Sequence, residues 1–349
     1  MTSLALRRGV AAARTHLPFA IVPFAVALLA SVGLPHVVAA KELKVATYLP
    51  PTHRIVGLYE QLGKDLAADS KGDLTLKVYP GGTLGAGPFQ QYKRAVEGVA
   101  DIADICHPFH AKVFARTMLV VLPGSATSAV DATTRLWSLP ETMLASDYKE
   151  VKNVFTYTVS QAVLTSRDKP VRAMADLKGA KVFTPGAAFA PIVAAWGASP
   201  VPMDLNDMFN ALSTGVVDMV ALPSTSLVPP FRLAEVAKFT SVGVSGLFNP
   251  CGGVMNKESY AGLSASQKAV FDKHTGKAMS LKAAKIFDDW AEEAFQAARA
   301  GGRVEVIQLA PEVRKAMFDA AQPVVQKTLG ELEKGGVADA QAVYAAINK

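Results

Sequence analysis

The sequence predicts an α/β protein with two lobes of like architecture, and three observations support this fold class. Strand and helix patterns alternate along the chain, which is typical of parallel α/β units. One such unit spans Val171–Pro223 and a similar one spans Glu42–Cys106. The chain has 349 residues, 50% of them hydrophobic, which is enough for two sizeable cores. We therefore expect each lobe to form one wall of a cleft.

The unit Val171–Pro223 shows the order of elements most clearly. Its Pro185-Gly186 pair stops a strand, and Gly197 and Gly215 end helices. The predicted elements are a turn at Asp176–Gly179, a strand at Lys181–Thr184, a helix at Phe189–Trp196, an extended segment at Pro200–Met203, a helix that carries Met208, Phe209 and Leu212, and a strand at Val216–Leu222. Ligands of such units lie at the carboxyl ends of the strands, so we expect contacts near Phe183–Pro185 and Ala221–Pro223.

The N-terminal unit repeats this order. Pro and Gly residues at Leu49–His53 and Pro80–Gly82 separate its elements, and Gly98 stops its second helix. The predicted elements are a strand at Glu42–Tyr48, a helix with Ile55, Leu58, Leu62 and Leu66 on one face, a strand at Gly72–Tyr79, a helix at Pro88–Glu97 and a strand at Ala100–Cys106.

Two extended segments, Thr156–Arg167 and Ser241–Asn256, are predicted to cross between the lobes. Leu263–Ala300 is predicted to be one long helix that braces both lobes, with Ser264 as its N-cap and Gly276 as its main breaker. A strand at Val304–Leu309 and helices at Pro311–Glu333 and Asp339–Ile347 complete the chain. The resulting lobes are residues 41–160 with about 246–285, and residues 161–245 with about 286–349.

Residues 1–40 have the pattern of a secretory signal peptide cleaved near Ala40. Three arginines precede an apolar run at Leu17–Leu34, and small residues precede Lys41. A membrane anchor is the alternative, but the run contains Pro23 and barely reaches spanning length. A twin-arginine export signal is a second alternative, but a general secretion signal fits the segment better. We expect an exported mature protein, and the family resemblance described below implies that it works in the periplasm.

The charge pattern excludes one class of partner. The signal segment holds three of the 36 basic residues and none of the 30 acidic ones, so the net charge falls from +6 to about +3 on cleavage. No basic patch interleaved with aromatic residues occurs, which argues against nucleic-acid binding. We expect a monomer without a cofactor.

Cys106 and Cys251 are the two cysteines, and export would allow them to pair. Whether they do depends on a distance that the sequence does not give, and two unpaired buried thiols are the expectation.

No catalytic constellation is found, and the sequence predicts no enzyme. Nucleophile elbow, P-loop and dinucleotide motifs are absent. His107 and His110 adjoin Cys106, but further ligands at zinc-site spacing are lacking, so a loop of ordinary histidines is expected and no metal. Asp101 and Asp104 are interpreted as structural carboxylates rather than as an acid–base pair.

Six segments in fixed order resemble the extracytoplasmic solute-binding proteins of TRAP transporters. They are Ala46–His53, Tyr79–Gly85, Leu177–Pro185, Gly197–Met203, Thr214–Asp218 and Val254–Tyr260. The resemblance covers essentially the whole mature chain. It implies a two-lobed periplasmic binding protein with a hinge, crossover strands and a long helix across both lobes. It also implies capture of a small organic acid, closure by hinge motion and delivery to TRAP membrane subunits.

The chain departs from this family at three anchors. Members usually carry a carboxylate-clamping arginine where this chain has Phe183, and often a basic residue near Gln161 and an asparagine at the position of Leu222. Burying an unpaired carboxylate there would be costly, so a simple dicarboxylate is not expected. The alternative is that the anchor has moved to another cation: Arg116, Arg135, Arg167 or Lys169.

We therefore expect a ligand with an aromatic or otherwise apolar body. Its predicted contacts are Tyr48, His53, His107, Gln161, Phe183, Thr184, Leu222 and Ser224. Phe189 could also line the site, while Trp196 is expected to be helix core. A cationic amine is an alternative that would need Asp104 or Asp204. Two alternative functions remain: a ligand sensor of the same fold and a secreted enzyme.

Overall fold

The computed structural model describes residues 40–186 and 188–349. The predicted signal segment, apart from Ala40, lies outside this range. The described residues form two lobes, each built on one mixed β-sheet with helices packed around it. None of the helices in this range is both long and apolar enough to cross a membrane.

The first sheet has five strands in the order β2-β1-β3-β10-β4. The strands are β1 (Lys41–Ala46), β2 (Leu74–Tyr79), β3 (Ile102–Cys106), β4 (Val151–Thr158) and β10 (Pro250–Asn256). β1 pairs in parallel with β2 and β3, as a strand–helix–strand unit requires. β10 returns late in the chain and lies antiparallel between β3 and β4.

The second sheet has six strands in the order β11-β9-β5-β8-β6-β7. They are β5 (Ala162–Ser166), β6 (Lys181–Pro185), β7 (Ser199–Met203), β8 (Met219–Pro223), β9 (Phe239–Val242) and β11 (Glu305–Gln308). β6 lies between β7 and β8, parallel to both, so the strand–helix–strand order predicted for Val171–Pro223 is found here.

Two short connections join the sheets where crossovers were predicted. β4 of the first sheet leads through residues 159–161 into β5 of the second, and β9 returns through residues 243–249 to β10. Each predicted extended segment is thus two strands in different sheets, separated by a break. A backbone hydrogen bond joins the two connections, since the Val159 amide donates to the Asn249 carbonyl.

The helices surround the two sheets. They are α1 (Arg54–Asp69), α2 (Gln91–Val96), α3 (Ala129–Ser138), α4 (Glu141–Leu144), α5 (Ala190–Ala195), α6 (Met208–Thr214), α7 (Lys257–Ala261), α8 (Ala265–His274), α9 (Gly276–Gly301), α10 (Pro311–Lys334) and α11 (Ala340–Ile347). α9 packs against β4 of the first sheet and β11 of the second, so it spans both lobes.

The single long helix predicted over Leu263–Ala300 is wrong in one respect: it is two helices, α8 and α9. Ser264 caps α8 as expected, with its hydroxyl accepting from the Gln267 amide. Thr275 is extended and Gly276 has φ of +68°, a left-handed conformation that glycine adopts without steric cost. One helix therefore ends and the next begins at the predicted breaker.

Trp196 and Phe189 are core residues of the second lobe, both almost fully buried. The Trp196 indole N–H donates to the Met317 carbonyl of α10, which satisfies its polar group inside the core. Phe189 belongs to the same cluster, so neither side chain is a wall of the cleft.

Cys106 and Cys251 form a disulfide, contrary to the expectation of unpaired thiols. The two residues are direct partners in the antiparallel pairing of β3 with β10. Their Cα atoms are 4.0 Å apart. The return of β10 from the second lobe creates this proximity, which a sequence separation of 145 residues does not indicate.

Candidate functional site

A cavity lies between the two sheets, at the carboxyl ends of β1, β3, β4, β6 and β8. It offers about 60 Å³ to the centre of a water-sized sphere, whereas one water needs about 10–15 Å³. The site therefore has room for a small organic molecule. Its lining residues are Tyr48, Leu49, His53, Asp104, Cys106, Phe109, Tyr157, Val159, Pro185, Leu205, Leu222, Pro223, Thr225, Ser226, Phe231, Asn249, Cys251 and Phe287.

Aromatic side chains from both lobes form much of the wall. Tyr157 of β4 stacks on Phe287 of α9 with ring centroids 5.6 Å apart. His53 contacts Phe231 of the second lobe edge-on at 6.2 Å. Flat apolar surfaces of this kind favour a ligand with a ring or another apolar body.

His53 presents a hydrogen-bond donor to the cavity. It is the N-cap of α1, and its Nδ1 accepts from the Ile55 amide. Burial lowers the pKa of His53 to about 4, with the neighbouring Arg54 charge contributing, so the ring is neutral at physiological pH. A neutral ring that accepts at Nδ1 carries its proton on Nε2. That Nε2 has no partner among the described residues.

Further polar groups of the wall lack hydrogen-bond partners in the described part of the chain. They include the hydroxyls of Tyr48, Tyr157 and Thr225 and the side-chain oxygen of Asn249. Asn249 is only 6% exposed, and its Oδ1 is fully buried. Buried polar groups are normally satisfied, so these groups are available to a ligand.

Among the described residues, Asp104 is the one carboxylate in the wall. It is 2% exposed, and it accepts hydrogen bonds from the Thr47 hydroxyl at 2.9 Å and the Tyr59 hydroxyl at 3.3 Å. Burial raises the pKa of Asp104 to about 7, and these two hydrogen bonds only partly oppose the shift. Among the described residues that line the cavity there is no lysine or arginine.

Of the eight residues predicted as ligand contacts, Tyr48, His53 and Leu222 line the cavity. Ser224 is adjacent to it, but its hydroxyl donates to the Ala291 carbonyl of α9, while Thr225 and Ser226 form the wall. Gln161 lies on a separate surface depression beside α10, with its amide donating to the Gly246 carbonyl.

The remaining three predicted contacts have their side chains turned elsewhere. Phe183 is fully buried in the core of the second lobe, packed with residues such as Met208 and Leu212 of α6. Side chains on one face of a strand recur every second residue, and Pro185 is the residue of that face that reaches the cavity. Thr184 donates to the Gly186 carbonyl, and His107 bonds the Tyr148 hydroxyl at 3.0 Å.

The four cations considered as a relocated anchor do not line the cavity either. Arg116 pairs with Asp339, and Arg135 pairs with Asp131. Arg167 pairs with Asp168 and donates to carbonyls at the end of α6. Lys169 follows β5 at the end of that strand remote from the cavity.

The wall also contains four residues that the sequence did not predict, Tyr157, Asn249, Phe231 and Phe287, and it contains Asp104, which was predicted to be structural. Tyr157 and Asn249 flank the two breaks between the sheets, where a residue of either lobe meets the cleft. Their place in the predicted crossovers was a usable signal. No sequence signal indicated Phe287 of α9 or Phe231 as wall residues, because their position depends on how the lobes pack.

A second, open cleft shares Tyr48, Leu205 and Phe231 with the cavity. It is lined by the turns after β2 on one side and by the start of α6 with Pro230 and Arg232 on the other. The shared side chains therefore separate the cavity from the solvent-filled mouth between the lobes.

Comparisons with known proteins agree with this architecture. The family model described as bacterial extracellular solute-binding protein, family 7, matches residues 45–331. A solute-binding protein of Albidiferax ferrireducens is 27% identical over 288 residues, which is 79% of this chain and 82% of that protein.

Two solved structures show the same fold. A TRAP solute-binding protein from a marine metagenome, specific for aromatic acid ligands and bound to 3-hydroxybenzoate, has a TM-score of 0.81 at 25% identity, covering 89% of this chain and 100% of its own. A TRAP solute-binding protein from Rhodoferax ferrireducens, bound to copurified benzoate, has a TM-score of 0.81 at 24% identity, covering 88% and 98%.

Proposed function

Because the chain belongs to family 7 of the bacterial extracellular solute-binding proteins, the solute-binding components of TRAP transporters, we propose that it captures an aromatic or otherwise apolar-bodied organic acid. The two lobes close on the ligand by hinge motion, and the closed protein delivers it to the TRAP membrane subunits. The family is a transport component and not an enzyme family.

One observation carries the proposed ligand class: the cavity has aromatic walls and, among the described residues, no lysine or arginine. A dicarboxylate brings two charges into such a site and would leave them without a cation, which is costly. A monocarboxylate on a ring leaves one charged end, and the ring contacts the aromatic wall. Two proteins of the same fold, described above, bind benzoate and 3-hydroxybenzoate.

Neutral donors would hold the carboxylate end. The donors available are the His53 Nε2–H and the hydroxyls of Tyr48, Tyr157 and Thr225. Hydrogen bonds to a charged group contribute about 1.5–3 kcal/mol each, so several neutral donors can replace one clamp. Leu222 and Phe231 from the second lobe would contact the apolar body.

A thermal-shift screen tests the ligand class. Benzoate, 3-hydroxybenzoate and mandelate should raise the melting temperature, since a ligand at 100 times its Kd adds about 2.7 kcal/mol to the free energy of unfolding. Succinate, fumarate and benzylamine should not. Stabilisation by the dicarboxylates alone would overturn the proposed ligand class.

Export and processing complete the proposal. Residues 1–40 direct secretion and are removed, the mature chain begins at Lys41, and it works in the periplasm as a monomer of two lobes with the boundaries predicted above. The intact mass of protein from a periplasmic extract identifies the first residue, and light scattering gives the mass in solution. A retained N-terminal segment or a dimer would contradict the respective part.

A further inference from the structure

We propose that the site takes up its carboxylate ligand together with one proton, and that Asp104 holds this proton. The inference deepens the proposed function and rests on it, since it assumes a carboxylate in the cavity. It makes Asp104 a residue that determines which ligands the site accepts and at what pH.

Asp104 is a buried carboxylate in the cavity wall, within the space that a ligand would share. It lies on β3 between the cavity and the core of the first lobe, and it is 2% exposed. The Thr47 hydroxyl accepts from the Leu49 amide, so its own proton goes to Asp104 Oδ2 at 2.9 Å. Asp104 Oδ1 has only the longer bond from the Tyr59 hydroxyl, at 3.3 Å, so Oδ1 is the oxygen with spare capacity to carry a proton.

No positive charge around Asp104 offsets a second negative one. The titratable groups that face it are Tyr48 from the loop after β1, Tyr59 from α1 and Tyr157 from β4, with the neutral His53 at the start of α1. Burial and the Asp104 charge raise the pKa of all three tyrosines, so they stay protonated. Farther out, beyond Tyr48, Asp204 adds another negative charge.

Two carboxylates in one closed cavity without a cation cannot both be ionised at low cost. Asp104 is only partly protonated near neutral pH in the empty site, because burial raises its pKa to about 7. A ligand carboxylate raises this pKa further. Above pH 7, binding therefore draws one proton from solvent to Asp104, and a hydrogen bond from its carboxyl group to the ligand carboxylate forms.

The proton should appear in the pH dependence of affinity. When binding requires protonation of a group, affinity falls about tenfold for each pH unit above the pKa of that group in the free protein. With the pKa of Asp104 at about 7, affinity for an acid that stays ionised should fall about tenfold from pH 6 to pH 8.

Calorimetric titration with benzoate tests the proposal in the native protein. Titrations at pH 6 and pH 8, each in phosphate and in Tris, give both the affinity and the number of protons taken up, because the two buffers differ in ionisation enthalpy. We expect almost no uptake at pH 6, nearly one proton at pH 8 and the tenfold loss of affinity between them.

Asp104→Asn removes the titrating group and keeps the side-chain shape. This variant should bind benzoate with equal affinity at both pH values, without proton uptake, and more tightly than the native protein at pH 8. Asp147→Asn is the matched control, since Asp147 is also a buried aspartate whose pKa burial raises, yet it lies outside the cavity against Thr117. Its pH dependence should equal that of the native protein.

The outcomes separate the inference from the proposed function. Benzoate binding with equal affinity and no proton uptake at both pH values in the native protein would overturn the role of Asp104 and leave the ligand class standing. Benzylamine binding that is tighter at pH 8 than at pH 6 would also overturn the role of Asp104, because the ionised Asp104 would then bind a cation. If no carboxylate of the thermal screen binds at either pH, the proposed function fails.

Discussion

Phe183 lies in the core of the second lobe, although its position in the sequence predicted contact with a ligand. It is fully buried on the face of β6 that packs against α6, two residues before Pro185 on the same face. A phenylalanine in this place contributes by filling volume. Its replacement is therefore a test of stability and not of affinity.

Phe183→Ala should lower the free energy of unfolding by about 3–5 kcal/mol, the cost of an emptied aromatic site in a core. Urea denaturation of the native protein and the variant measures this difference. Benzoate affinity of the folded fraction should change less than about threefold. A large loss of affinity with little loss of stability would place Phe183 in the site after all.

Tyr157→Phe should have the opposite effect. The substitution keeps the ring that stacks on Phe287 and removes only a hydroxyl without a partner among the described residues. Since a hydrogen bond to a charged group contributes about 1.5–3 kcal/mol, benzoate affinity should fall about tenfold or more. Stability should change little.

Tyr148→Phe is the control for Tyr157→Phe. Its hydroxyl is also buried, but it bonds His107 and the Thr156 hydroxyl outside the cavity. Calorimetric titration with benzoate should give native affinity for this variant. Equal affinity for all three proteins would remove Tyr157 from the set of ligand donors.

At this scale the sequence predicts the edge of the sheet but not the side chains. The carboxyl ends of β6 and β8 meet the cavity as expected, through Pro185 and Leu222. Thr184 lies on the opposite face of β6 from Pro185, and Phe183 shares the face of Pro185 but lies two residues farther from the cavity, within the core. Asn249 and Phe231 were missed because their contacts form only when distant segments pack together.

The disulfide between β3 and β10 acts at the scale of elements. It fixes the strand that returns from the second lobe to the centre of the first sheet, and its two residues also line the cavity. A crosslink between residues far apart in sequence removes many conformations of the unfolded chain, and an exported protein keeps it oxidised.

Reduction should therefore lower the free energy of unfolding by roughly 2–5 kcal/mol. Urea denaturation with and without dithiothreitol measures this effect. The double variant Cys106→Ser, Cys251→Ser serves as the control, because it should show the lower stability under both conditions. An unchanged free energy of unfolding of the native protein in dithiothreitol would mean that the disulfide does not stabilise the fold.

The alternation of strands and helices was predictable, because hydrophobic runs and Gly or Pro breaks are local signals. β6, α6 and the closing helices follow the predicted order. Gly276 was predicted as the main breaker, but the complete division into α8 and α9 was not, since one glycine is compatible with a continuous helix. Here Gly276 takes a left-handed conformation that ends it. Strand order within each sheet depends on long-range pairing, such as β10 between β3 and β4, and no local pattern specifies it.

At the scale of the whole molecule, the two lobes are closed over the cavity. Gly186, after β6 of the second lobe, comes so near Pro108 of the first that an added Cβ would lie 3.1 Å from the Pro108 carbonyl oxygen. Among the described residues, the lobes are linked by the two short breaks after β4 and β9, by α9, and by α3, which packs on β4 and α9 and against α11. Such an arrangement allows hinge opening to admit a ligand through the mouth beside Tyr48 and Phe231.

A crystal structure of the protein with benzoate is the decisive test of the proposed site. We expect the ring against Tyr157, Phe231 and Phe287, with the carboxylate oxygens within hydrogen-bond distance of neutral donors such as His53 Nε2 and of the Asp104 carboxyl group. A carboxylate paired with a lysine or arginine, or a ligand bound outside the cavity between the two sheets, would contradict it.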